Sequence, residues 1–158
     1  MSKSLKRVKA ALCDVGLDIE PMEMPDETRT AQQAADAAGC ELDQIAKSVI
    51  LQDGETGTCY LFLTAGGNQV DAARASETAG TELNKADAAA IRAHTGFAIG
   101  GVSPLGHLNP ISAYMDPRLM DFDVIYAAAG TPRHIFPINP SKLADIIDAD
   151  VREFTEPR

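Results

Sequence analysis

The chain has 158 residues, 45% of them hydrophobic and 23% charged, which is typical of one globular domain with its own apolar core. We therefore expect a single domain over residues 1–158. No apolar run approaches the ~20 residues that cross a bilayer, which argues against a membrane-spanning helix and a membrane partner. The net charge of −9 argues against a broad nucleic-acid-binding surface, because such a surface needs a basic patch.

The charge is distributed unevenly along the chain. Residues 1–13 are +4, with four bases and no acid, and those bases are Lys3, Lys6, Arg7 and Lys9. Residues 14–56 have eleven acids and two bases (−9), and residues 57–158 have twelve acids and eight bases (−4). The basic segment is either a solvated helix face or a surface that meets phosphate groups.

The N-terminus and the cysteines bear on the compartment. The basic N-terminus leads into no apolar signal sequence. Cys13, Cys40 and Cys59 are odd in number and lack metal-ligand spacing, which fits a reducing environment. We therefore expect a cytoplasmic protein. No combination of His, Cys, Asp and Glu has the spacing of a metal site, so we expect neither a metal nor a cofactor.

Apolar periodicity and the turn-forming residues predict the elements in chain order. Helices are expected at 2–15, 31–38, about 71–79, about 85–95 and 140–147. Strands are expected at 18–24, 45–51, 59–65, 111–115, 124–129 and 134–138. The strands at 45–51 and 59–65 are expected to form a hairpin, a turn to start at Asp116-Pro117, and the acidic tail to fray. The order is not a regular β-α-β alternation, so we expect an α/β fold with a mixed, barrel-like sheet surrounded by helices.

Capping residues refine two of these helices. Thr30 with Gln33 forms a capping-box pattern before the helix at 31–38. Asn84 is the expected N-cap of the helix at 85–95, and Gly96 is its expected end.

Lys47 is the only charged residue between Asp43 and Asp53. It lies inside an apolar strand, and period-2 alternation puts it on one face with Ile45, Val49 and Leu51. Such a lysine either lies at an edge and extends to water or points into a site. In a pocket it would supply a fixed positive charge for a phosphate, a carboxylate or a developing oxyanion.

Residues 96–107, here called the glycine loop, contain four glycines, one proline and one histidine. This composition favours a loop that presents backbone N–H groups. It matches neither the dinucleotide-binding pattern G-x-G-x-x-G nor a P-loop. Ser103 lacks the second glycine of a nucleophile elbow, which leaves a serine-hydrolase triad unsupported. The alternatives are a structural turn and a site wall. His107 is correspondingly a general base, a pocket residue or a structural histidine.

In these motifs the sequence resembles the YbaK/prolyl-tRNA-synthetase-associated family of editing domains, whose members hydrolyse mischarged aminoacyl-tRNA. The matching residues, which span nearly the whole chain, are Thr30-Ala31, Ala34-Ala35, Ile45-Ala46-Lys47-Ser48, Thr95-Gly96, Gly100-Gly101-Val102-Ser103-Pro104-Leu105-Gly106-His107, Asp116, Tyr126-Ala127-Ala128-Ala129-Gly130 and Ile138-x-Pro140-x-x-Leu143.

The resemblance implies a mixed α/β fold and a pocket between the Lys47 strand and the glycine loop. It implies catalytic roles for Lys47, Gly100 and Gly101, which position water or a substrate group without a metal or a nucleophilic side chain. The implied substrate-binding residues are Val102, Ser103, Pro104, Gly106, His107, Thr30 and Met24. The candidate tRNA-binding residues are Lys3, Lys6 and Arg7.

The expected activity is hydrolysis of the ester bond of a tRNA mischarged with Ala, Cys, Ser or Thr. The expected partner is the tRNA acceptor end with its esterified amino acid, with a synthetase or an elongation factor as a further candidate. Two alternatives stay open: a non-catalytic module that binds tRNA or a synthetase, and a hydrolase of small aminoacyl esters.

Overall fold

An eight-stranded mixed sheet organises the chain in a computed structural model that describes residues 2–157. The helices are α1 (Lys3–Asp14), α2 (Ala31–Ala38), α3 (Ala72–Ala79), α4 (Ala88–Thr95) and α5 (Pro140–Ile147). The strands are β1 (Met22–Glu23), β2 (Ile45–Asp53), β3 (Cys59–Ala65), β4 (Leu83–Lys85), β5 (Ser112–Met115), β6 (Ile125–Ala128), β7 (His134–Ile138) and β8 (Asp150–Val151). Short 3₁₀ helices cover Leu42–Gln44 and Pro117–Asp121. The expected mixed α/β fold is confirmed.

The strand order is β1-β7-β6-β2-β3-β5-β8, and β4 pairs with the end of β2. The central β2 and β3 are antiparallel, with Ala46 opposite Ala65 and Gln52 opposite Cys59, so the expected hairpin is confirmed. On either side of this hairpin the pairings of β2 with β6 and of β3 with β5 are parallel. Because β2 and β3 lie at the centre, the residues near their ends are fixed on both sides by neighbouring strands.

Capping side chains define where the helices start. Thr30 accepts a hydrogen bond from the backbone N–H of Gln33 and completes the expected capping box of α2. The N-cap of α4 is Asp87, whose carboxylate accepts from Ala90 N–H. The prediction that Asn84 caps this helix is wrong, because Asn84 lies in β4 and pairs with Gln52. No helix within residues 2–157 is long and apolar enough to cross a bilayer.

Helices cover both faces of the sheet, and the buried side chains between them form the core. On one face, a large cluster joins Leu5, Val8 and Leu12 of α1 to Ala46 and Ile50 of β2. On the other face, α2 covers the start of β2 and α3 covers its end, in two smaller clusters. Lys47 lies on this second face of β2, between the two apolar clusters.

The C-terminal segment packs against the domain, so the prediction that the acidic tail frays is wrong. Residues Asp150–Val151 form β8 beside β5, and Thr155 makes an isolated bridge with Val70. Phe154 is fully buried, and its ring meets the Phe62 ring edge-on at a centroid distance of 4.9 Å. An aromatic anchor between charged residues therefore holds the tail.

The expected strand at 18–24 is also shorter in the structure. Only Met22 and Glu23 are in a strand, since they pair with the first two residues of β7, Ile135 and His134. Met24 continues the contact, its N–H donating to the Arg133 carbonyl over 2.7 Å.

We predict that Phe154→Ala lowers the free energy of unfolding by about 3–5 kcal/mol, because it removes a buried aromatic side chain and leaves a cavity. Urea denaturation followed by circular dichroism measures the change. Val151→Ala, which alters a 41%-exposed neighbour in the same segment, is the control and should cost less than about 1 kcal/mol. Equal effects of the two substitutions would show that the tail does not depend on its aromatic anchor.

Candidate active site

Lys47 lies on the face of β2 that α2 and α3 cover. Side chains alternate along a strand, so Lys47 shares this face with Ile45 and Leu51, as the sequence predicts. Ile45 packs against Ala34 and Ala35 of α2, whereas Leu51 belongs to the cluster around Phe62. The half-buried lysine is thus placed between two apolar contacts rather than at a sheet edge.

The Lys47 ammonium is fixed by the chain that follows β3. Its Nζ donates a hydrogen bond of 2.5 Å to the carbonyl of Asn68. Burial lowers the pKa of Lys47 from its ordinary value, and the carboxylates of Asp116 and Asp43 partly oppose that shift. An ammonium has three N–H donors, and within residues 2–157 one of them is used. Lys47 is therefore a partly desolvated cation with donors left for a ligand.

Asp116, at the end of β5, organises the backbone around this lysine. One carboxylate oxygen accepts from Ala65 N–H at 3.0 Å and from the Asn68 side-chain amide at 2.8 Å, and the other accepts from Arg118 N–H at 3.0 Å. The carboxylate is 2% exposed, so these bonds replace the water that burial removes. They hold the turn after β3 and, with it, the carbonyl that receives Lys47.

A second carboxylate supports the same turn from outside. Asp43 accepts from Gly67 N–H at 2.9 Å and from Arg118 Nε at 2.9 Å. Gly66 packs so closely on the Leu42 carbonyl that a Cβ has no room there. Sequence reasoning missed these residues as parts of the site. The available signal was the Gly66-Gly67-Asn68 break after a buried strand, but their partners are far away in the chain.

The glycine loop packs its side chains on the opposite face of the sheet. Phe97, Val102 and Leu105 belong to the cluster that contains Ala46 and Ile50 of β2. Ser103 is fully buried, and its Oγ accepts from Leu105 N–H, while Pro104 is also buried. Val102, Ser103 and Pro104 therefore shape the loop from behind, and their assignment to substrate binding stays a prediction.

The tip of the loop reaches around to the side of α2. Gly100 has φ = +93°, and a Cβ there would lie 3.1 Å from Cγ of Arg29, which precedes the N-cap of α2. A Cβ on Gly101 would lie 2.8 Å from the Thr131 carbonyl carbon, in the turn after β6. Gly101 N–H also donates to the Ala98 carbonyl. Gly101 therefore sets the path of the loop backbone, and its own N–H is already bonded. A backbone N–H that faces a ligand stays a prediction for Gly100.

Strand β6 links the tip of the loop to Lys47. The pairing of β2 with β6 ends at Ala46 and Ala127, which are followed by Lys47 and Ala128 on the two strands. Thr131 follows Ala128 by three residues, a reach of at most about 10 Å. β6 and the turn after it therefore connect the two regions along the chain, and contact of both with one substrate stays a prediction.

Met24 and Thr30 flank this region from the N-terminal side. Met24 is 8% exposed and lies next to the turn after β6. The Thr28 hydroxyl donates to the Pro132 carbonyl in the same turn. The Thr30 hydroxyl is engaged as the cap of α2. Both residues lie around the loop tip, and their contact with substrate stays a prediction.

His107 closes the loop in a defined tautomer. Its ring nitrogen Nε2 lies 2.6 Å from the Ser103 carbonyl, which can only accept, so Nε2 carries the proton. In the neutral ring Nδ1 is then an acceptor, and it is buried without a partner among residues 2–157. Burial lowers the pKa of His107, while the Ser103 carbonyl opposes this shift. The histidine is therefore a neutral acceptor that points into protein.

Two surface cavities adjoin the polar residues around Asp116. One of about 400 Å³ is lined by residues that include Asn68, Asp116 and Arg118, and another of about 440 Å³ is lined by residues that include Glu41, Leu42, Asp43 and Gly67. Arg118 is already paired with Asp43 and Asp121, so we do not assign these cavities to an ester substrate. Within residues 2–157 no group of three His, Cys, Asp or Glu is placed to hold a metal ion.

Known proteins share both the sequence and the architecture. Residues 25–146 match the aminoacyl-tRNA editing domain family, so the chain belongs to this family. A crystal structure of a proposed trans-editing enzyme for prolyl-tRNA synthetase is 41% identical, with a TM-score of 0.92 and 99% of both chains covered. A structure from work on epitope grafting onto scaffold proteins by computational design is 40% identical, with a TM-score of 0.92 and 100% of both chains covered. The uncharacterized protein YwhH of Bacillus subtilis (strain 168) is 28% identical over 142 residues, which is 90% of each chain.

We predict that His107→Gln weakens the acid sensitivity of the fold. Because the pKa of His107 is lowered in the folded state, the unfolded chain binds the proton first, near its ordinary value of 6.5. This histidine therefore costs stability as the pH falls through that value, and the stability is regained above it. Between about pH 7.5 and about pH 5.5 the variant should lose up to about 1 kcal/mol less stability than the wild type. Urea titrations at both pH values measure the difference, and an equal loss in both proteins would contradict it.

Proposed function

We propose that the protein is a trans-acting aminoacyl-tRNA deacylase that hydrolyses the ester of a tRNA mischarged with a small amino acid. The observation that carries the proposal is the partly desolvated Lys47 ammonium, which donates to the Asn68 carbonyl and has further N–H donors for a ligand. The family membership and the trans-editing relative support it. That relative's name points to errors on tRNA for proline. We expect a cytoplasmic protein.

In the proposed reaction, water attacks the carbonyl carbon of the ester that joins the amino acid to the terminal ribose. The bond from that carbon to the ribose oxygen breaks, and the ribose oxygen leaves with a proton. The products are a free amino acid and an uncharged tRNA. Lys47 would neutralise the developing oxyanion or anchor the terminal phosphate, and the loop around Gly100 and Gly101 would orient the ester. A labile ester held in this way needs no nucleophilic side chain.

We predict that Lys47→Ala lowers the single-turnover deacylation rate by about 100- to 1000-fold, the range for removal of one oxyanion-stabilising donor. The substrates are tRNA for proline charged with alanine, and tRNAs charged with serine, threonine and cysteine. Lys142→Ala, which removes an exposed lysine on α5, is the matched control and should keep the wild-type rate. Thermal unfolding of both variants checks that the fold survives.

Full activity in Lys47→Ala on every substrate would refute the assignment. If the wild type binds the charged tRNAs and hydrolyses none, the protein is a binding module. If it hydrolyses small aminoacyl esters equally fast without the tRNA body, it is an ester hydrolase.

We predict that the double variant Lys3→Ala, Lys6→Ala weakens tRNA binding and flattens its salt dependence. Both side chains are exposed on α1, and each phosphate contact contributes about 0.7–0.9 to the slope of log K against log salt. Filter binding at several salt concentrations measures the slope. The double variant Lys85→Ala, Lys142→Ala removes the same charge elsewhere and should keep the slope. If the slope does not change in the α1 variant, that helix is only a solvated face.

A further inference from the structure

We propose that Arg7 is a positioning residue that holds both ends of the glycine loop and so sets the geometry of the deacylation site. Arg7 was a candidate contact for tRNA phosphate, but its guanidinium is turned toward the protein. The inference rests on the proposed function for its effect on rate, whereas the tether itself is a property of the fold.

The guanidinium bridges the two ends of the loop. Arg7 Nε donates to the Gly106 carbonyl at 2.7 Å, and Nη2 donates to the Thr95 carbonyl at 3.4 Å. Thr95 is the last residue of α4, and Gly106 is the penultimate residue of the loop. A planar guanidinium holds its donors in a rigid fork, so one side chain fixes the separation of the two carbonyls.

The same guanidinium stacks on the base of the loop. Its Cζ lies 4.5 Å from the centroid of the Phe97 ring, which is fully buried. The His107 ring meets Phe97 edge-on at a centroid distance of 5.6 Å. Arg7, Phe97 and His107 therefore form one contiguous cluster, in which the cation lies over the Phe97 ring and the histidine meets that ring edge-on.

Two loop glycines make room for α1 rather than for a substrate. Gly96 has φ = +82°, and a Cβ there would lie 2.5 Å from Arg7 Nη2. Gly106 has φ = +78°, and its Cβ would lie 3.3 Å from the Arg7 carbonyl oxygen. Part of the unusual composition of the loop thus serves the close approach of this helix.

The tether comes from outside the segment that defines the family match. That match begins at residue 25, whereas Arg7 lies in the middle of α1. Its neighbours Lys3 and Lys6 are exposed, and Arg7 is half-buried. Of the three candidate tRNA-binding bases on α1, two therefore face solvent and one faces the loop.

The test compares Arg7→Ala and Arg7→Lys with the control Lys9→Ala. The control removes a base from the same helix, and Lys9 pairs with Glu20 rather than with the glycine loop. Lysine keeps the charge but lacks the fork. We expect both Arg7 variants to lower kcat, by up to about 100-fold, with KM and the salt slope for charged tRNA unchanged. Amide hydrogen exchange at residues 96–107 should accelerate in both Arg7 variants, and Lys9→Ala should match the wild type.

A phosphate contact would give a different pattern and would overturn the inference. Arg7→Ala would then raise KM and flatten the salt slope, Arg7→Lys would resemble the wild type, and exchange in the loop would not change. If wild-type protein deacylates no substrate, the proposed function fails, and hydrogen exchange alone decides whether the tether exists. If Arg7→Ala does not fold, Arg7→Lys decides both readouts.

Discussion

The buried carboxylate of Asp116 is the interaction on which the candidate site depends. A charge that is 2% exposed is tolerated only when hydrogen bonds replace its hydration, and here three N–H groups do so. Because β3 and β5 are parallel neighbours, their carboxyl ends meet at one edge of the sheet. Asp116 joins these ends to the turn that carries Asn68. The position of Lys47 therefore follows from strand register and one compensated charge.

The Lys47 side and the glycine-loop side of the candidate site depend on different kinds of interaction. On the lysine side, a partly desolvated ammonium keeps a strong field because little water screens it. On the loop side, backbone geometry and packing do the work, since Gly100 and Gly101 are pressed against Arg29 and Thr131. A catalyst for an already labile ester needs orientation and charge more than it needs a nucleophile. In the proposed reaction, this division takes the place of a nucleophilic side chain.

Local patterns predicted the elements that are determined locally. Alternation along β2 put Lys47 on the correct face, and the pair Thr30 and Gln33 predicted the capping box of α2. The features that the sequence did not predict all depend on tertiary contacts. Strand β4 is three residues long and exists because β2 extends beside it, and the tail is ordered because Phe154 finds Phe62. The interaction of Lys47 with Asp116 could not be predicted either, since Asp116 lies 69 residues further along the chain and no local sequence pattern connects the two.

The contact of Gly101 with the backbone of Thr131 links two segments that are separate in sequence. Backbone atoms cannot be trimmed by substitution, so neither segment can change its path unless the other moves with it. In relatives of this protein, insertions in the turn after β6 should therefore accompany altered lengths or glycine positions in the loop. Anyone who exchanges the loop between editing domains to change their amino-acid preference would have to transplant the turn with it.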